Sequence, residues 1–163
     1  MDVRAESVTS GLEPVTLDVS ALWRQHYRNM VRLAFLLTGS QAHAEDLVQD
    51  AFVSLQRRRR PILDPLAYLR TCVVNRCRRW RGREAMARAR TVWRPTESGP
   101  LDVSDDVADA VGRLPYKQRV AIVLRFHEDL SYAQIAEAMG CPVATARSHV
   151  HRGLVQLREM IEP

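Results

Sequence analysis

The spacing of apolar residues along the chain is typical of α-helices. Apolar positions recur three and four residues apart, and strand-like alternation is absent. This pattern predicts an all-α protein with seven helices, at residues 19–38, 41–57, 64–90, 104–113, 115–127, 131–139 and 143–160.

Capping and turn residues mark several of these helix ends. Asp64 followed by Pro65 is a typical helix start, because the aspartate accepts a hydrogen bond from the first turn and proline tolerates the first helical position. Ser131 with Gln134 three residues later predicts a capping box. Gly140 predicts the end of that helix, since glycine readily adopts a left-handed conformation.

Two stretches without an apolar period divide the chain into modules. Residues 91–103, which include two prolines and a glycine, predict a flexible linker. Residues 1–17 predict a mobile N-terminal tail. We therefore expect two small helical domains, over residues 18–90 and 104–163.

The charge of these two modules differs strongly. The chain has 163 residues and a formal net charge of +5. Residues 18–90 contain 15 arginines against six acidic residues, a net charge of +9, whereas residues 104–163 contain seven basic against eight acidic residues, a net charge of −1. An arginine-rich module favours a polyanionic partner, because the guanidinium group donates paired hydrogen bonds to phosphate.

Several classes of protein lack support in the sequence. No run of about 18 apolar residues predicts membrane insertion, and the N-terminus does not resemble a secretory signal. The three cysteines form no CxxC pair, which argues against a zinc finger or a disulfide framework and fits a reducing cytosol. We predict no catalytic residue, metal site or cofactor, because no enzyme or phosphate-loop motif is present.

Residues 131–159 carry a helix-turn-helix pattern, with a short helix, a turn and a longer second helix. Apolar residues are expected on one face of the second helix, at Val143, Ala146, Val150, Leu154, Leu157 and Ile161. Hydrogen-bonding residues, which we call the recognition face, are expected on the rest of its surface: Thr145, Arg147, Ser148, His149, His151 and Arg152. This arrangement predicts contacts with bases in the major groove. An ordinary helical hairpin with a solvated outer face is the alternative.

The predicted helix 41–57 has an acidic outer face within the basic module. Its core face contains Leu47, Val48, Ala51, Phe52 and Leu55. The other side, which we call the acidic face, contains Glu45, Asp46, Gln49, Asp50 and Val53. Either this face is simply solvated, or it docks on a basic protein partner.

The predicted helix 64–90 combines an aromatic ring, an amide and cations on one side. We call this set the α3 face: Tyr68, Thr71, Asn75, Arg78 and Arg79. These groups suit unpaired nucleic acid, which offers bases for stacking and phosphates for pairing. The preceding loop adds four consecutive arginines at residues 57–60. A solvated basic face is the alternative reading.

Three stretches of the chain resemble motifs of the extracytoplasmic-function (ECF) sigma factors, the smallest members of the bacterial sigma-70 family. In order they are AEDLVQDAFVSLQ, AYLRTCVVNRCRRW and LPYKQRVAIVLRFHEDLSYAQIAEAMGCPVATARSHVHRGLVQLRE. The resemblance covers about residues 18–160. It implies a region 2 domain and a region 4 domain that bind core RNA polymerase and direct promoter-specific initiation without catalysis.

The resemblance also implies residue roles. The acidic face would dock on the β′ clamp helices, with the β flap as the further polymerase contact. Asn75 would help to read an unstacked −10 base, and the loop at residues 57–64 would cradle a flipped base. The recognition face from Arg147 to Arg152 would contact the −35 element. His149, His151 and Gly153 depart from the common family pattern, so the −35 sequence does not carry over.

The partners implied by the resemblance are core RNA polymerase and promoter DNA, in the cytoplasm and at the nucleoid. Relatives are often held by an anti-sigma factor, which is therefore a further candidate partner of this chain. Two other classes stay open: a stand-alone helix-turn-helix regulator, and a protein that binds polymerase but not promoters. The acidic face argues against the first of these.

Overall fold

The structure, a computed structural model, describes residues 17–87 and 104–161. These two ranges contain seven helices and no strand: α1 (Val19–Thr38), α2 (Gln41–Arg57), α3 (Pro65–Ala87), α4 (Asp105–Gly112), α5 (Tyr116–Phe126), α6 (Tyr132–Met139) and α7 (Val143–Ile161). The all-α prediction is confirmed. The predicted linker and nearly all of the predicted tail lie outside the described residues, as do the last three residues of the third predicted helix.

The predicted caps are present. The backbone N–H of Ala67 donates to Asp64 Oδ1 at 2.9 Å, before the first turn of α3. Ser131 and Gln134 form the capping box of α6, in which each side chain accepts from the other residue's backbone N–H. Gly140 has φ 64°, the left-handed conformation that ends α6.

The first three helices form one module around the C-terminal half of α1. Every residue from Leu33 to Gly39 is buried. The predicted core face of α2 is buried against this segment, and α3 contributes Leu69, Val73 and Cys77. Burial raises the pKa of the Cys77 thiol to about 12, so this cysteine is an inert packing residue.

The second module is built around α5, whose residues from Arg119 to Leu124 are all buried. Helices α4, α6 and α7 pack around it. Gly153 lies at the closest approach of α7 to α5, where a Cβ atom would be 2.6 Å from Ile122 Cγ1. The glycine therefore allows α7 to lie directly on α5.

The packing face of α7 differs from the predicted one. Ala146 and Val150 are buried as expected, but Val143, Leu154 and Ile161 are 44%, 42% and 69% exposed. The buried stripe continues through Gly153, which has no side chain and was therefore not counted as apolar. The prediction for Val143, Leu154 and Ile161 was wrong because it took the apolar side chains to mark the buried face. The contact with α5 is made instead at a glycine, where the two backbones come close together.

The two modules pack against each other and share a continuous apolar core. Helix α1 contacts α4 and α5, and α3 contacts α6. Among the helices in the described ranges, none combines the length and the apolar character needed to cross a bilayer.

Candidate nucleic-acid interface

The recognition face lies on the outer side of α7. Arg147, His151 and Arg152 are exposed, and Thr145, Ser148 and His149 are half-buried. All six belong to the first three turns of the helix, where a helix entering the major groove places its base-contacting side chains. The structure therefore keeps all six residues out of the buried stripe of Ala146, Val150 and Gly153. Arg147 and His151 line a groove with Tyr132, whereas His149 lies near Arg152 and Lys117.

His149 has a charge environment that favours the neutral imidazole. Its pKa is lowered below 6.5 by partial burial, and further by the positive charges of Lys117 and Arg152. A neutral imidazole offers one donor and one acceptor, whereas an arginine at this position would offer only donors. This difference changes which base edges the position could read.

Tyr132 is a neighbour of the recognition face that the sequence did not reveal. It lines a shallow groove with Arg147, His151 and Leu154. The guanidinium groups of Arg147 and Arg125 lie 5.2 and 5.5 Å from the centre of the Tyr132 ring. Cation–π contact with this ring holds Arg147 at the edge of the groove.

The α3 face is a strip along one side of α3. Arg78 and Arg79 are exposed, and Tyr68, Thr71 and Asn75 are half-buried. The spacing of three and four residues places them in one row, about 16 Å long at the helical rise of 1.5 Å. Thr71 Oγ1 donates to the carbonyl of Ala67, 3.0 Å away, so its hydroxyl is partly engaged within the helix.

The loop before α3 contributes further groups to this surface. The guanidinium of Arg58 lies 4.6 Å from the centre of the Tyr68 ring, which joins the arginine run to the α3 face. Leu63 is fully exposed in the same loop. The exposure of Leu63 could not be predicted from the sequence, because a single leucine in a loop shows no periodicity that would indicate which side of it is buried.

The acidic face of α2 points away from the core. Asp46, Gln49 and Asp50 are exposed and Val53 is 40% exposed. Glu45 is half-buried and accepts a hydrogen bond of 2.6 Å from Gln41 Nε2. The set is thus a contiguous surface with an apolar residue among its acidic and amide groups.

An aromatic cluster of α1 packs on Phe52 of α2, the residue that precedes Val53 of the acidic face. Trp23 of α1 stacks on Tyr27 with ring centres 4.1 Å apart, and contacts the edge of Phe52 at 4.8 Å. Trp23 remains 36% exposed. The spacing of four residues between Trp23 and Tyr27 was the available signal in the sequence, and it was missed because both lie in the half-buried N-terminal part of α1.

A buried carboxylate joins the two modules. The Glu128 side chain, which follows α5, is fully buried and accepts from Asn29 Nδ2 of α1 at 2.6 Å. It also accepts from Arg70 Nε of α3 at 2.6 Å. We call these three residues the inter-module junction. The sequence does not indicate it, because the partners are 58 and 99 residues from Glu128.

A second polar contact crosses between the modules at Arg119. Its guanidinium donates to the carbonyl of Leu37 at the end of α1, 3.3 Å away. It also donates to the carbonyls of Gly112 and Leu114 in its own module. Burial lowers the pKa of Arg119 to about 9, which leaves the side chain charged at pH 7.

Two family descriptions match the chain in the order of its modules. "Sigma-70 region 2" matches residues 22–86. "Sigma-70, region 4" matches residues 104–157. The first match contains the acidic face and the α3 face, and the second contains the recognition face.

Proteins similar over most of the chain carry related names. The ECF RNA polymerase sigma factor SigE of Mycolicibacterium smegmatis is 32% identical over 86% of this chain, which spans 60% of that relative. The RNA polymerase sigma-E factor of Streptomyces avermitilis is 33% identical over 82% of this chain and 79% of its own length. The sigma factor RpoE of Bartonella quintana, crystallised with the anti-sigma factor NepR, has a TM-score of 0.64 and 27% identity, over 88% of this chain and 98% of that one.

Proposed function

Because the chain belongs to the ECF sigma factors of the sigma-70 family, we propose that it binds core RNA polymerase and directs transcription initiation at specific promoters. The observation that supports this most strongly is the pairing, in one chain, of the two family matches with three separate exposed faces. One face is acidic and two are basic or hydrogen-bonding. The protein acts in the cytoplasm through binding energy, without a catalytic group of its own.

The acidic face docks on the clamp helices of the polymerase β′ subunit, and the second module contacts the β flap. Exposed carboxylates on α2 provide charge complementarity to a basic partner, and Val53 supplies an apolar contact in their midst. Trp23 extends this contact, because a partly exposed indole beside a charged face is a common anchor of protein interfaces.

The α3 face and the preceding loop bind the −10 element in its strand-separated form. Asn75 reads an unstacked base, the arginines hold the backbone, and Tyr68 with Leu63 provides apolar surface for a base that has left the stack. A protein that binds the separated strands better than the duplex shifts the equilibrium towards the open form. No energy-consuming motor is then needed.

The recognition face of α7 binds the −35 element in the major groove. Arg147 and Arg152 are suited to guanine or phosphate, and neutral His149 to a base edge with a donor and an acceptor. We include an anti-sigma factor among the proposed partners, because the Bartonella relative is found in such a complex.

The docking role is tested by reversing charge on the acidic face. The double variant Asp46→Arg and Asp50→Arg should weaken binding to core polymerase, because a basic partner would then face two positive charges. We expect a loss of affinity of tenfold or more, which corresponds to about 1.4 kcal/mol. Both side chains are exposed, so the fold should be unchanged. The measurement is the affinity of a fluorescent chain for core enzyme at moderate ionic strength, with circular dichroism as the check on folding.

The matched control is Asp106→Arg with Glu159→Arg, which changes the net charge equally at exposed positions of the second module. If both double variants bind core polymerase as tightly as the unmodified chain, the acidic face is not the docking site. Tight, specific binding to duplex DNA without polymerase, and no stimulation of transcription in vitro, would instead favour the stand-alone regulator.

A further inference from the structure

The packed arrangement of the two modules is incompatible with simultaneous promoter contacts, if the proposed function holds. Elements centred near −35 and −10 are separated by about 25 base pairs, or about 85 Å at 3.4 Å per base pair. A compact chain of this length has a radius of gyration of about 15 Å and therefore a diameter of about 40 Å. The modules must separate before both elements can be read.

The second module also covers part of the α3 face. Thr71 lines a cleft with Gln134, Glu137 and Ala138 of α6. A nucleic acid strand laid along the α3 face would meet these α6 side chains at Thr71. It would also bring its phosphates towards the Glu137 carboxylate, which is unfavourable. The packed arrangement is therefore also a poor binder of the −10 strand.

The inter-module junction has the properties of a specific closing contact. Glu128 is a fully buried carboxylate from one module, and both of its 2.6 Å hydrogen-bond partners come from the other. A buried carboxylate is tolerated only when it is paired and hydrogen-bonded. Separation exposes Glu128 and Arg70 to water, so the pair can part without leaving a buried charge.

We propose that Glu128 is an intramolecular latch, which holds the free chain in a closed form that cannot read a promoter and is broken when the modules separate. Asn29 and Arg70 are the receiving residues of the latch. The fraction of open chain then sets the apparent affinity of the free protein for −10 strands.

The test uses the full chain with Glu128→Gln, which keeps the shape of the side chain but removes its charge. Small-angle X-ray scattering should show a radius of gyration larger by several ångströms, above the roughly 15 Å of a compact chain. The affinity for a single-stranded −10 oligonucleotide, without polymerase, should rise about tenfold. Arg70→Ala, made in the other module, should expand the chain in the same way, and it keeps the test valid if one variant fails to fold.

The matched control is Asp129→Asn, which removes one charge from the neighbouring exposed residue of the same turn. It should change neither the scattering nor the affinity. Unchanged scattering in Glu128→Gln and Arg70→Ala, with folding intact by circular dichroism, would overturn the latch. Expansion without any gain in oligonucleotide affinity would overturn its inhibitory role. Because scattering needs neither polymerase nor promoter, a failed latch is distinguishable from a failed sigma-factor assignment, which core binding tests.

Discussion

Asn75 lies at the centre of the α3 face, between Thr71 and Arg79, with its side chain half-buried. An amide in such a position can both donate to and accept from one base edge, which no cation on the same helix can do. Its proposed role is therefore to distinguish bases, whereas the neighbouring arginines provide affinity for any sequence.

Replacing Asn75 by alanine should reduce the discrimination among −10 sequences by about 1–3 kcal/mol, the usual cost of one lost base contact. Overall affinity at weak −10 sequences should change less. The measurement is open-complex formation by the reconstituted holoenzyme on a set of −10 variants, with Gln25→Ala on the exposed side of α1 as the control. If the Asn75→Ala and Gln25→Ala variants rank the −10 sequences identically and show the same range of open-complex formation, Asn75 does not have this role.

His149 makes a pH-dependent contribution to stability. Its pKa in the folded chain is lowered by burial and by Lys117 and Arg152, while the unfolded chain protonates near pH 6.5. Below that pH the unfolded state binds more protons than the folded state. The stability associated with neutral His149 is thus complete above pH 6.5 and is lost as the pH falls towards the folded pKa.

Urea unfolding at pH 7.5 and pH 5.5 checks whether the free energy of unfolding falls with pH as expected. The unmodified chain should lose more stability between the two values than the His149→Gln variant does, since glutamine has no proton to gain. An equal loss in both proteins would show that this imidazole does not sense its cationic neighbours.

At the scale of single elements, the sequence predicted helix positions well because caps and periodicity are local signals. Ser131, Gln134 and Gly140 specify both ends of α6 within ten residues of chain. The outer faces of α2 and α3 could be predicted for the same reason. The packing face of α7 could not, because Gly153 contributes to it by the absence of a side chain.

The contact of α7 with α5 gives a test in the form of a double-mutant cycle. Gly153→Ala should destabilise the chain, because the new Cβ would lie 2.6 Å from Ile122 Cγ1, and overpacking of about 1–3 kcal/mol exceeds the gain of about 1 kcal/mol in helix propensity. In an Ile122→Ala background the same change should be stabilising by about 1 kcal/mol.

Urea unfolding of the four proteins measures the coupling between the two positions. Equal effects of Gly153→Ala in both backgrounds would mean that Ile122 moves aside at no cost. In that case the glycine would not be required for the approach of the two helices.

At the scale of the whole molecule, the distribution of charge along the sequence distinguished the two modules. It did not predict that they pack against each other. The net charges of the two segments differ by ten units, and this difference follows from composition alone. The inter-module junction depends on which helices meet, and its residues are spread over 99 positions of sequence. Periodicity reports which side of an element is buried, not which distant element buries it.

Arg119 bears on what happens when the modules come apart. It donates to Gly112 and Leu114 of its own module as well as to Leu37 of the other. When the Leu37 contact is lost, the guanidinium keeps its local anchors, and the carbonyl at the end of α1 can turn to water. The second module would then keep the contacts that tie α5 to the end of α4 in both arrangements, so this part of its packing need not change when the Leu37 contact is made or broken.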